Sequence, residues 1–199
     1  QTAIEDPLLA DAALAALDVV AGDEDGFFLL VEQGDIDWAN HGNDYARMVG
    51  TTWDLHKAVK SIIPYVDRQG DDVHWGNTLL VVTSDHSNSY MRLTGDPALG
   101  RGDLPLQVPP EGEDVCGAYK TPFCEYPDGE VTYAVGEHTN ELVRLYARGS
   151  TAGLFEHFEG DWYPCTDIID NTQVYLTMVR AAGLPQTSPY TVVPGACTP

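Results

Sequence analysis

Val31-Glu32-Gln33-Gly34-Asp35-Ile36-Asp37-Trp38-Ala39-Asn40-His41 places hard and borderline metal ligands directly behind a hydrophobic run. That run, Gly26-Phe27-Phe28-Leu29-Leu30-Val31, is short, aromatic and aliphatic, as expected of a strand buried on both faces of a parallel sheet. Glu32 then falls at its carboxyl end. If the chain turns into a helix after Ile36, Asp37 and His41 share a face, from which a carboxylate oxygen and an imidazole nitrogen can reach one zinc ion. The plainer alternative is a strand end and a polar turn, with Asp35 or Asp37 accepting backbone hydrogen bonds.

Downstream segments repeat the pattern. Asn77-Thr78-Leu79-Leu80-Val81-Val82-Thr83 reads as a second buried strand and ends in Asp85-His86, while Gly136-Glu137-His138-Thr139 precedes the strand-like Leu142-Val143-Arg144-Leu145-Tyr146. Ligands delivered at strand ends are how open α/β sheets assemble active sites.

The succession V-E-x-x-x-I-D-x-x-x-H, then T-x-D-H, then H-T resembles the alkaline phosphatases, in the same order and over most of the chain. The resemblance implies an α/β fold, a three-layer αβα domain around a mostly parallel sheet. Residues 1–199 would form its carboxyl-terminal part, with a loop-rich insertion at about 91–135. It implies hydrolysis of phosphate monoesters with two zinc ions and one magnesium. Asp37, His41 and His138 would hold one zinc, Asp85 and His86 would contribute to the second, and Glu32 suits the magnesium. The family attacks phosphate with a serine that follows a metal-bridging aspartate. This chain has no Asp-Ser dipeptide, and Ser87, beside His86, reads as a loop hydroxyl. The nucleophile is therefore expected on an amino-terminal polypeptide of the same enzyme, which could dimerise once complete. Trp38 stands where some relatives carry a basic residue or histidine.

Composition narrows the alternatives. With 31 acidic and 10 basic residues the formal charge is −21, which leaves no basic footprint for nucleic acid. A phosphate ester would be repelled unless metal ions supplied local positive charge. A phosphodiesterase of the same superfamily and a secreted acidic metal-binding protein are the competing readings. Cys116, Cys124, Cys165 and Cys197 lack Cys-x-x-Cys spacing. Two disulfides, Cys116 with Cys124 and Cys165 with Cys197, are one of three pairings and would place the chain in the periplasm or outside the cell. No apolar run reaches the ~20 residues that span a bilayer, and the first residues lack a signal peptide's basic region.

The remaining elements follow from periodicity and caps. Helices are expected over 7–20, with Asp6 as cap, over 44–66, and over 170–182, stopped by Gly183 and Pro185. Short strands are expected over 130–135 and 140–148, a turn over 152–160 and an extended tail over 189–199. His56, His74 and His157 read as packing or surface histidines.

Overall fold

The computed structural model describes residues 8–117 and 123–185, apart from 69 and 71. Asp6, Pro7, Cys197 and the 189–199 tail lie outside the described residues. Two compact units emerge: the described residues of Gln1–Arg68 with Thr83–Arg144, and those of Gln69–Val82 with Leu145–Pro199.

In the first unit, α1 (Leu9–Val20) packs on α3 (Tyr45–Val66), and α3 also carries the short α2 (Asp35–His41). The expected apolar stripe of α1 is only partly used, since Ala13 and Leu17 are buried while Leu8 and Ala12 face outward. Asp44 caps α3 by accepting from Arg47 N, and Pro64 sits in its last turn. The buried set of this unit includes Ala39, Ala58, Tyr65, Val66 and Val131, together with the polar His41, Asn43, Asp44 and Ser89. An imidazole at 1% exposure inside an apolar core signals a fixed polar role.

Two small antiparallel ladders complete this unit. Strand β2 (Ser87–Asn88) pairs with β5 (His138–Thr139), and β3 (Arg92–Leu93) pairs with β4 (Val131–Thr132). In the second unit, β1 (Leu79–Val82) pairs with β6 (Tyr146–Gly149), antiparallel, with Leu79 opposite Gly149. Gly149 has φ +104°, and a Cβ there would lie 2.1 Å from Thr78 O, so the ladder requires glycine. Helix α4 (Asn171–Ala181) opens with a capping box between Asp170 and Gln173 and packs Leu176 and Val179 inward.

The helices at 44–66 and 170–182 form close to their expected bounds; the sheet differs. Among the described residues each of the three sheets has two antiparallel strands, so the chain is α/β in content without a parallel ladder. Residues 26–31, expected as a buried strand, make no ladder, and Phe28 and Leu30 are 73% and 75% exposed. Leu142 is 72% exposed, and the expected strand over 140–148 is reduced to β6. The physical reason is common to both. A strand is defined by its neighbour's N–H and C=O groups, and these stretches have no such neighbour among the described residues. No helix among the described residues is long and apolar enough to cross a membrane.

Candidate metal centre

Three segments converge through the β2–β5 ladder. Its register sets Asn88 opposite His138, which brings Asp85-His86 alongside His138, while α2 supplies Asp37 and His41 from one helix face. His138 thus lies within a two-residue antiparallel strand, not at the end of a parallel one.

The shared carboxylate of Asp37 is the hub. Its Oδ2 lies 3.2 Å from His41 Nε2 and its Oδ1 lies 3.2 Å from His138 Nε2. His86 Nε2 stands 3.3 Å from Asp85 Oδ2, and the His86 ring stacks on His138 with centroids 3.6 Å apart. His41 and His138 are tilted, 4.9 Å apart. Ligand atoms of Asp37, His86 and His138 all fall within 4.8 Å of one another, and His41 meets this group through Asp37 without belonging to it. A carboxylate and two imidazoles gathered this closely are a donor set whose chemistry suits a divalent cation such as zinc.

Supporting contacts fix these side chains. His41 Nδ1 lies 2.6 Å from Gly136 O, a contact in which that nitrogen donates and which turns Nε2 toward Asp37. Asn88 Nδ2 donates to Asp37 Oδ1 at 2.7 Å. Ser89 and Tyr90 are left-handed at φ 65° and 51°, a conformation costing about 1–3 kcal/mol each, and Ser89, fully buried, donates to Asn40 O at 2.6 Å. This turn aims Asn88 at Asp37. Asn88 and Gly136 were not legible as functional from the sequence; the only hint is that each lies two residues from a ligand candidate.

The other candidates are peripheral. Asp85 is 83% exposed. Glu32 is exposed ahead of α2, outside the Asp37, His86 and His138 group. Ser87 Oγ is engaged by Thr139 O at 2.9 Å and by Glu141 N at 3.0 Å, as a structural hydroxyl. Trp38 is exposed on α2. His56 stacks on Trp53, and His74 Nδ1 accepts from Gly76 N.

A cavity of about 240 Å³ is lined by Asn43, Tyr126 and Tyr133 among others, and by none of the ligand candidates. Burial pushes the Tyr126 phenol up from its ordinary 10.0 to about 12, and burial raises Tyr133 as well. The folded chain therefore holds the Tyr126 proton across an interval where the unfolded chain has lost it. Its stabilisation is complete below about pH 10 and is lost as pH rises through about 12. Denaturant unfolding at stepped alkaline pH is expected to show stability falling over that interval, with a shallower fall for Tyr126→Phe.

Cys116 and Cys124 are disulfide-bonded, as expected, and Cys165 is also in a disulfide.

The family described as alkaline phosphatase matches residues 1–107. Alkaline phosphatase H of Pseudomonas aeruginosa is 26% identical over 178 residues, covering 89% of this chain and 32% of the relative. Alkaline phosphatase 3 of Bacillus subtilis is 37% identical over 90 residues, 45% of this chain and 18% of the relative. The chain thus spans about a third or less of the length of these relatives. Among solved structures, the alkaline phosphatase from the Antarctic bacterium TAB5 superposes with TM-score 0.58 at 19% identity, covering 92% of this chain and 43% of that one. A mutant of the TAB5 enzyme, described with magnesium bound in its M3 site, gives 0.58 at 21% identity over 89% of this chain and 42% of that one.

Proposed function

Since the chain belongs to the alkaline phosphatase family, we propose that it forms the carboxyl-terminal part of a metal-dependent phosphate monoester hydrolase. The observation that carries the proposal is the carboxylate of Asp37 set between His41 and His138, 3.2 Å from each ring, with His86 close enough to share a cation with Asp37 and His138. Asp37, His41 and His138 would hold one zinc, Asp85 and His86 would contribute to a second, and Glu32 would serve a magnesium, the metal named for the TAB5 relative. Bound there, such ions supply Lewis-acid charge to the attacking and leaving oxygens of phosphoryl transfer.

The chain's own residues do the orienting. Gly136 O fixes the His41 tautomer, Asn88 holds one oxygen of Asp37, and stacking on His86 restrains the His138 ring. With a formal charge of −21 the protein itself offers a phosphate little attraction, which makes cation loading a precondition for substrate binding.

An amino-terminal polypeptide would bring the serine nucleophile. The absence of an Asp-Ser dipeptide and the one-third span of the relatives support this division. The same polypeptide would supply sheet neighbours for residues 26–31, whose exposed Phe28 and Leu30 are otherwise costly, and so complete a mostly parallel sheet between helical layers. The completed enzyme could pair as a dimer. The Cys116–Cys124 disulfide favours an oxidising setting, periplasmic or extracellular.

The test compares turnover of an aryl phosphate monoester and the matching diester by the assembled enzyme, before and after chelation. Monoester turnover is expected to dominate, to fall by at least about 100-fold on chelation and to return with zinc. A preference for the diester would move the assignment to a phosphodiesterase. Turnover indifferent to chelation would remove the metal role altogether.

A further inference from the structure

Residues 42–46 lead directly from His41 into α3, whose first N–H groups have no partner inside the helix. Each of three successive groups is taken by a side chain. Tyr45 N donates to Tyr126 Oη at 2.8 Å, Ala46 N to Gln107 Oε1 at 3.1 Å, and Arg47 N to Asp44 Oδ1 at 3.0 Å. Two of these acceptors come from more than 60 residues away along the chain.

The same two side chains reach further into the junction. Tyr126 Oη donates to Asn43 O at 2.5 Å, and Gln107 Nε2 donates to Asp44 Oδ1 at 2.8 Å while lying 3.0 Å from Cys116 Sγ. Cys124 N donates to Gly42 O at 3.4 Å. The Cys116–Cys124 disulfide and the antiparallel bridge between Val108 and Glu125 make a single clasp of these groups. Asn43, buried and left-handed at φ 54°, passes the restraint on, since with its amide turned nitrogen-first toward two carbonyls it donates to Asn40 O at 3.1 Å and to Val135 O at 3.0 Å. Val135 immediately precedes Gly136, whose carbonyl orients His41.

We propose that Gln107 and Tyr126, held in register by the Cys116–Cys124 disulfide, are positioning residues that set His41 for metal binding. The inference rests on the reading of His41 as a zinc ligand. Helix stability alone would be served by any local cap, such as Asp44. A clasp that also grips the carbonyls of Gly42 and Asn43 restrains both backbone segments that aim the His41 ring: its own helix end, and through Asn43 the Val135-Gly136 strand approach. A loosened junction leaves the ring in place on average and broadens its orientation, which a metal senses through ligand geometry.

The experiment measures zinc affinity of the assembled enzyme by competition with a chromogenic chelator. Tyr126→Phe and Gln107→Ala are measured alone and in a His41→Ala background. Each single change is expected to weaken zinc binding about 10-fold, and the effect is expected to vanish once His41 is absent. Cys124→Ser should reproduce the loss, so the prediction survives if Gln107→Ala does not fold. Affinity within about 2-fold of wild type for both Tyr126→Phe and Cys124→Ser would overturn the inference, as would an equal loss with and without His41. If His41→Ala alone leaves zinc affinity unchanged, the ligand reading itself fails, which is a separate result from failure of the clasp.

Discussion

Asp37→Ala is expected to lower kcat/KM for a phosphate monoester by at least about 10³-fold, some 4 kcal/mol of transition-state stabilisation, and to strip metal from the assembled enzyme. The size follows from the sharing of one carboxylate. Its two oxygens face two different imidazoles at 3.2 Å, and Asn88 donates to one of them, so a single truncation unseats three partners. It also leaves His41, at 1% exposure, facing a void in place of the carboxylate. Asp37→Asn preserves the shape and removes the charge, and is expected to retain more fold stability than activity. Kinetics and zinc content measured on the same preparations check this: loss of turnover with full zinc retention would mean that Asp37 is not a ligand.

Gly136→Ala is the second large effect. A Cβ at that position would lie 2.3 Å from the Phe123 Cζ and 3.0 Å from the His41 carbonyl oxygen. The ring tip can swing, but the His41 backbone cannot move without carrying the helix end that holds its imidazole. Overpacking of this kind costs about 1–3 kcal/mol. The same displacement breaks the 2.6 Å contact between Gly136 O and His41 Nδ1, so thermal stability and metal affinity are expected to fall together. Adding Phe123→Ala should recover part of the stability and little of the metal affinity, because the backbone clash persists. Full recovery of both would mean that the ring alone demands glycine here.

What could be read from the chain was what local rules govern. The four-residue spacing of Asp37 and His41 became a helix face because Ile36 to His41 does enter α2, and the two side chains meet as helical geometry requires. Helix α3 was visible through its apolar period and α4 through its opening at Asp170-Asn171-Thr172 and its stop at Gly183, while the Asp44 cap was not read. Long-range pairing was not visible. The stacking of His86 on His138 depends on a two-residue ladder between segments about 50 residues apart, too short to leave a period in the sequence. Asn88 is one polar residue in a polar turn until β2 and the left-handed Ser89 aim it. Gln107 and Tyr126 fell in a stretch read as a loop-rich insertion, where a glutamine and a tyrosine carry no signal. The run over 26–31 was read as buried because its composition is that of a central strand. Its exposure shows that composition describes the environment a segment suits, and neighbouring strands must supply that environment.

Anomalous scattering at the zinc edge, from crystals of the assembled enzyme, tests the metal assignment most directly. A peak is expected at about 2.0–2.2 Å from an Asp37 oxygen, His41 Nε2 and His138 Nε2, with a second beside Asp85 and His86. Zinc-replete crystals with no peak at Asp37, or with zinc held only by surface carboxylates, would contradict it.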